Sequence, residues 1–527
     1  MTTKRKAKAA IEYGDYQTPT AFARAVCAKL KDVYGISPTT LFEPTFGAGR
    51  FIESALKEFD TIQAIYGVEL ESEYFALAKE RICGQGFSHM LFLYNEDIFS
   101  FDFDNIRERI SPRDNVLLIG NPPWATNSQL SSLRSGNLPM KSNIKRYSGL
   151  DSITGKGNFD IAEYIILQLL SEFKGYNCTL AMLCKTIVAK NIIKDFDKYD
   201  FEIGMADMYE FNAKDVFGVN CDAALFVVKL GKRSSAICNV YDFGTNAKIR
   251  QFGWFGGQFL SDISDAKNAA LIDGRCQFEW RQGVKHDCSK VMELTKLDTE
   301  GRFINGFGDA LALPIGRFVF PLIKSSDIKT DEISETRKYV IVPQSRVNAD
   351  TSMIKQMETS VWDYLVKYGD MLDGRKSIIY RKAPRFSIFG VGDYSFSKYK
   401  VGISGFYKEP KFALIVGEAP IMLDDTCYFL SFDELKDAVI SVALLNSREC
   451  RQFLKSVAFL DSKRPFTKEV LMRIDLLKLS QLVVFEYICD YALHMQGCYR
   501  ISKIDYQKYY VKLQTKNINT EQISLGL

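Results

Sequence analysis

Asn121-Pro122-Pro123-Trp124 follows the apolar run Val116–Gly120 and joins an amide, carbonyls beside two prolines and an indole face in four residues. Placed at the carboxyl end of a parallel strand, where open α/β sheets bind ligands, such a turn can grip a planar base. Its amide oxygen and a backbone carbonyl can accept hydrogen bonds from an exocyclic amine. Upstream, the loop Glu43-Pro44-Thr45-Phe46-Gly47-Ala48-Gly49-Arg50-Phe51 carries two glycines that let backbone approach a ligand closely. Glu69 stands roughly 20 residues past the last loop glycine, where a carboxylate can accept hydrogen bonds from both ribose hydroxyls. Asp97, in Asn95-Glu96-Asp97-Ile98-Phe99, can accept an adenine amino group while Ile98 covers the ring. Each acid has a plainer alternative, capping the helix that follows its strand. Their joint occurrence with the Asn-Pro-Pro-Trp turn favours the ligand reading.

These residues need a scaffold that sets them at neighbouring strand ends. Short apolar runs at Leu41-Phe42, 64–68, 90–94, 116–119 and 179–183 alternate with helical patterns over 51–59, 72–82 and 159–173. That alternation predicts βαβ units and a mainly parallel sheet. After the strand-like run 223–230 the sequence becomes aromatic-rich and glycine-punctuated, as in Arg250-Gln251-Phe252-Gly253-Trp254-Phe255-Gly256-Gly257. The change predicts a domain boundary within 232–245, giving domains 1–240 and 241–527.

The chain has 527 residues, 46% of them apolar, enough for more than one core. A net charge of +4 neither demands nor excludes a polyanionic partner. Twelve cysteines without a C-x-x-C pair and three histidines, His89, His286 and His494, give no zinc pattern, so no metal is expected. Buried free thiols and a cytoplasmic location are the expectation. The basic start Lys4-Arg5-Lys6-Ala7-Lys8 has no apolar region after it, and no run reaches the roughly 20 apolar residues of a membrane span.

Taken together, these segments resemble S-adenosylmethionine-dependent N6-adenine DNA methyltransferases of restriction-modification systems, with motifs in gamma-class order, over nearly the whole chain. The resemblance implies an α/β fold: a Rossmann-like methyltransferase domain with a mainly parallel sheet, followed by a C-terminal α+β target-recognition domain. Tyr13-Gly14-Asp15-Tyr16-Gln17-Thr18-Pro19 matches the family segment that packs over the methionine moiety of the cofactor. The cofactor residues it implies are Tyr16, Gln17, Thr18, Glu43, Phe46, Gly47, Gly49, Glu69, Asp97, Ile98 and Asn121, with Glu69 on the ribose and Asp97 with Ile98 on the adenine. Asn121, Pro122, Pro123 and Trp124 match the catalytic turn, Gly155–Asp160 the segment beside the target pocket, and Phe217 the ring on the other side of a flipped base.

An aromatic amine is a poor nucleophile because its lone pair is delocalised into the ring. Acceptance of its hydrogens by Asn121 and the Pro122 carbonyl localises that pair, and Trp124 stacks on the extruded base. Between Trp124 and Gly155, a polar stretch with Arg134, Lys141, Lys145 and Arg146 reads as a loop that clamps substrate.

The C-terminal half fits the same family at 280–286, 389–396 and 461–467. Its composition also points to nucleic acid: 375–411 holds nine Lys or Arg against two acids, interleaved with eight aromatics. Expected substrate contacts are Trp124, Phe159, Phe217, Lys285, Arg381, Lys382, Arg385, Lys463 and Arg464. Double-stranded DNA is the expected partner, with any restriction endonuclease a separate chain. Cytosine N4, an RNA adenine or a protein glutamine remain alternative targets, and a non-catalytic DNA-binding protein is the alternative from another class.

Overall fold

A computed structural model describes residues 16–83, 91–125, 160–198, 201–231, 236–298 and 302–525. The chain folds as two compact units, Met1–Ser264 and Asp265–Leu527.

The first unit is built on one ten-stranded sheet. Helix α1 (Thr20–Tyr34) precedes strand β1 (Thr40–Glu43); α2 (Arg50–Glu58), β2 (Ala64–Val68), α3 (Ser72–Cys83) and β3 (Leu91–Tyr94) follow. The short α4 (Asp104–Arg107) leads to β4 (Val116–Gly120), and α5 (Ile161–Glu172) to β5 (Cys178–Lys185). Then come α6 (Thr186–Lys194), β6 (Ile203–Asn212), α7 (Ala213–Phe217) and β7 (Asp222–Leu230), and finally β8 (Ile237–Asp242), β9 (Lys248–Phe255) and β10 (Gln258–Leu260). The strands lie in the order β10-β9-β8-β6-β7-β5-β4-β1-β2-β3. From β3 to β5 all pairings are parallel, whereas β7 runs antiparallel between β5 and β6.

Burial explains the sequence pattern. Strands β1 and β4 are buried at every position, as strands covered on both faces must be, and so read as continuous apolar runs. Helix α5 is buried around nearly its whole circumference, which accounts for its weak polar face. Because β1 pairs with β2 on one side and β4 on the other, the connections diverge there. That divergence opens a crevice at the carboxyl ends of the strands.

The unit ends about 20 residues beyond the expected boundary at 240. Strand β8 pairs parallel to β6, and β9 and β10 extend the same sheet by antiparallel pairing. A polar relay helps hold them: Tyr34 Oη donates to Asp207 Oδ2 (2.7 Å), Asn239 Nδ2 to Asp207 Oδ1 (2.7 Å) and Gln251 Nε2 to Asn239 Oδ1 (2.7 Å). The altered rhythm after 230 therefore marks an antiparallel margin of one sheet, and the change of unit comes only after Ser264.

The second unit is α+β, with a six-stranded sheet over 293–423 and a five-stranded sheet over 281–432. An apolar core containing Val291, Leu294, Phe303, Val340, Leu365 and Phe386 packs the first, and Ile415, Leu423 and Phe429 belong to a core at the second. Helices at Leu435–Leu445, Arg448–Val457, Leu476–Leu482, Phe485–His494 and Lys503–Leu525 complete the unit.

Candidate active site

The crevice at the divergence of β1 and β4 holds a concave pocket, the kind of place where open α/β sheets bind small molecules. Tyr16, Gln17 and Thr18 line it together with Glu43, Phe46, Gly47, Glu69, Asp97, Ile98, Asn121 and Pro123. Five segments far apart in sequence thus meet at one cavity. Leu70, Tyr74, Phe99, Ile161 and Ile165 also line it. The last two lie four apart on α5, so their helical spacing was visible, but it read as core because the pocket wall is part of that core.

The glycine loop is shaped by its backbone. Gly49, just ahead of α2, has φ +72°, and a Cβ there would come within 3.0 Å of Ala78 Cβ and 3.1 Å of Ile82 Cδ1. Glycine alone meets both demands at low cost. The loop is tied to β2 through Gly47 N, which donates to Glu69 Oε2 at 2.7 Å, while Glu69 Oε1 accepts from Glu71 N at 2.8 Å. Asp97 Oδ1 accepts from Phe99 N at 3.0 Å. Both acids therefore organise their own turns, and each retains acceptor capacity, since an ionised carboxyl offers about four lone-pair sites.

Asn121 is reached from the N-terminal side. Its Nδ2 donates to the Tyr16 carbonyl (3.1 Å) and to Thr18 Oγ1 (3.3 Å). The strap 16–18 also touches the glycine loop, where Ala48 N donates to Gln17 Oε1 at 3.2 Å. Three oxygen atoms of the pocket residues, Glu43 Oε2, Thr45 Oγ1 and Asn121 Oδ1, are buried with no hydrogen-bond partner among the described residues. Burial pushes the Glu43 carboxyl well above the ordinary range, and the neighbouring Glu69 charge adds to this. Burial also raises Glu69, against the backbone N–H groups of Glu71 and Gly47 that favour its charged form. Unpartnered buried acceptors are uncommon and call for a ligand donor.

Trp124 is buried, and its Nε1 donates to the Leu183 carbonyl at 3.2 Å. The turn is held from the other side by Ile161 N, which donates to the Ala125 carbonyl at 3.0 Å. Asp160 caps α5 through Ala162 N (3.1 Å) and pairs with Lys185 at 2.8 Å. Phe217 meets the Trp124 ring edge-on, with centroids 5.2 Å apart. A base between two parallel rings needs about 7 Å, twice the ~3.5 Å contact distance of carbon atoms. The two rings therefore adjoin in a closed arrangement. Phe159, Tyr13 to Asp15 and the clamp-loop residues Arg134, Lys141, Lys145 and Arg146 lie outside the described residues.

In the second unit two of the singled-out segments come together. Lys285 N donates to the Phe389 carbonyl (2.8 Å) and Phe389 N to the Lys285 carbonyl (2.9 Å). Glycines permit the close approach: a Cβ at Gly390 would stand 2.3 Å from the Gly283 carbonyl oxygen, and one at Gly283 2.2 Å from the carbonyl oxygens of Leu423 and Asp424. Beside it runs a cleft lined by Lys285, Asp287, Lys324, Tyr407 and Asp425. Lys285 lies 3.6 Å from Asp287. On the cleft wall Glu293 is buried, yet contacts from His286 (3.4 Å) and Lys324 (2.8 Å) hold its carboxyl down at about 2.

The basic stretch 375–411 divides into two kinds of residue. Arg375 donates to the carbonyls of Leu372, His286 and Ser387 and lies 3.7 Å from the Tyr380 centroid. Lys400 is 1% exposed, its Nζ donates to the Ser397 carbonyl, and burial lowers its pKa to about 7. Arg385 forms a forked pair with Asp373, and Lys411 pairs with Asp331. Arg381, Lys382 and Lys463 are exposed, with no ion pair among the described residues. Arg464 donates to the Asp425 carbonyl (3.3 Å) and stacks over Phe406.

Among the described residues, no group of three or more His, Cys, Asp or Glu is placed to hold a metal ion, and no helix is long and apolar enough to cross a membrane. No protein-family model matches the chain. It is 38% identical over 488 residues to the type II methyltransferase M.NspV of a Nostoc species, a match spanning 90% of this chain and 99% of the relative. Its fold is similar to that of the type IIL restriction-modification enzyme MmeI, solved in complex with DNA. That likeness has a TM-score of 0.50 and 12% identity, and covers 97% of this chain and 74% of MmeI.

Proposed function

The chain belongs to the type II methyltransferases, and from that premise we propose that it methylates the N6 amine of an adenine swung out of duplex DNA, as the modification half of a restriction-modification pair. Its cofactor is S-adenosylmethionine, which supplies an electrophilic methyl on a sulfonium. The pocket residues suit that group. Glu43 offers an unpartnered carboxylate oxygen for an ammonium, Glu69 retains lone pairs for a ribose diol, and Asp97 with the buried Ile98 can serve the adenine edge and face.

The observation that carries the reading is the unpartnered oxygen of Asn121, buried at the pocket that Glu43, Gly47, Glu69 and Asp97 also line. That oxygen and the Pro122 carbonyl accept the two amine hydrogens, drawing the nitrogen toward tetrahedral geometry so that its lone pair is localised. Such fixed acceptors need no reorganisation as charge develops. Trp124 supplies a stacking face for the extruded base, and Phe217 swings away from it to make room, offsetting part of the few kcal/mol of unstacking.

In the second unit, Arg381, Lys382, Lys463 and Arg464 neutralise phosphates, and Lys285, which lines the cleft, is a further DNA contact. Arg385, already paired with Asp373, contributes little.

Asn121→Ala tests the centre of this reading. Methyl transfer falls by about a hundredfold or more, by analogy with the loss of a single oxyanion-hole group, while cofactor affinity stays within about threefold, since the orphaned amide oxygen is assigned to the target. An active Asn121→Ala enzyme removes the assignment. Mass spectrometry of digested nucleosides from treated DNA is expected to show N6-methyladenine; N4-methylcytosine in its place overturns the choice of base.

A further inference from the structure

We propose that Thr18 is a positioning residue, whose hydroxyl oxygen anchors the Asn121 amide in the orientation that the acceptor-only Tyr16 carbonyl selects, with the amide oxygen, rather than its nitrogen, left for the reacting amine. The inference rests on the role of Asn121 proposed above and adds the device that sets its orientation.

An asparagine amide is nearly symmetric in shape, and its terminal torsion has a broad, two-fold preference. Sterics alone leave oxygen and nitrogen interchangeable, so hydrogen bonds must decide. Here both Nδ2 hydrogens have acceptors, the Tyr16 carbonyl at 3.1 Å and Thr18 Oγ1 at 3.3 Å. Oδ1 has no partner among the described residues. Turning the amide over would set its oxygen against a carbonyl oxygen and present two N–H donors to an amine that also donates. The first orientation activates the amine; the second repels it.

The acceptors are themselves fixed. Thr18 is 6% exposed. Gln17 between them accepts from Ala48 N of the glycine loop, and Pro19, which follows, accepts from Phe22 N (2.9 Å) and Ala23 N (3.0 Å) at the start of α1. The strap is therefore anchored at the cofactor loop and at a helix, and it passes that placement to the amide of a turn more than 100 residues away in sequence.

Thr18→Val keeps the side-chain shape and removes the acceptor, leaving the Tyr16 carbonyl to act alone. Steady-state kinetics are expected to show kcat about tenfold lower, with cofactor Kd by calorimetry within twofold, and Thr18→Ser within threefold of the parent. Wild-type kcat in Thr18→Val overturns the proposal, as does a loss carried by cofactor Kd or one that Thr18→Ser fails to restore. Should Thr18→Val fail to fold, as thermal melting would report, Asn121→Asp carries the test. Its carboxylate is at least as good an acceptor for the amine but sets an oxygen against the Tyr16 carbonyl. The proposal expects more than tenfold loss of kcat with Asp, and undiminished kcat overturns it. The two readings fail differently: full activity in Asn121→Ala sinks the role of the turn, whereas an inactive Asn121→Ala beside an unimpaired Thr18→Val sinks only the orienting role of Thr18.

Discussion

The pocket of the first unit and the basic stretch of the second both drew attention in the sequence, and they fared differently. At the pocket, residues of ordinary polarity stand out through what they lack: one side-chain oxygen of Glu43 and that of Asn121 are buried without a partner among the described residues. Along 375–411 the residues with the most obvious chemistry are often engaged already. Arg375 holds three carbonyls, Lys400 is buried within its sheet, and Arg385 and Lys411 have acidic partners. A motif fixes where a side chain sits relative to its neighbours, whereas a composition fixes only how many charges must be placed. The contrast teaches that a count of cations overstates a binding surface until internal pairing is subtracted.

The sharpest test on the pocket side is Glu43. Its carboxyl is raised by burial in the free protein, and a bound ammonium favours the charged form. Cofactor binding then releases a proton, so affinity rises with pH through the elevated pKa and levels off above it. Glu43→Gln is expected to weaken cofactor binding about tenfold to a hundredfold, the range of a hydrogen bond to a charged group, ~1.5–3 kcal/mol, and to flatten that pH dependence. Calorimetry across pH reads both, and an unchanged affinity would break the comparison at its stronger end. The sign for stability is the reverse. With the folded pKa above the unfolded one, the contribution of Glu43 is full below the unfolded value and is lost as pH rises through the folded value.

On the other side, Arg381→Ala with Lys382→Ala is expected to lower DNA affinity several-fold and to reduce the slope of log K against log salt by about two, close to one per phosphate contact. An unchanged slope would place the DNA elsewhere. Arg385→Ala is expected to change affinity less than twofold, because exposed ion pairs contribute about 0–1 kcal/mol and the guanidinium is held by Asp373. A large effect there would show that the pair opens on binding.

The strands at 40–43, 64–68 and 116–120 were legible because strands buried on both faces must be apolar along their length, and the half-buried edge strand at 91–94 is apolar as well; the polar residues that follow interrupt the pattern conspicuously. Glu43, Glu69, Asp97 and Asn121 were legible because a parallel sheet sends its carboxyl ends to one side. What the strap does was hidden: the bonds from Asn121 to Tyr16 and Thr18 join residues more than 100 positions apart, and no periodicity reports such a contact. The unit boundary was misplaced for a similar reason, since β8 to β10 lack the parallel-strand rhythm yet pair into the same sheet. In the second unit, sequence distinguished neither Arg375 from Arg381 nor Lys400 from Lys382. Inward and outward cations differ only in the fold around them.

The relay from Tyr34 through Asp207 and Asn239 to Gln251 bears on how specificities could be exchanged among relatives. A chimera joined at 240 would break β8 near its middle, separate Gln251 from Asn239 at the end of that relay and import an unrelated margin for the sheet. A graft joined after Ser264 carries the whole sheet across intact, so the natural seam for recombination lies there.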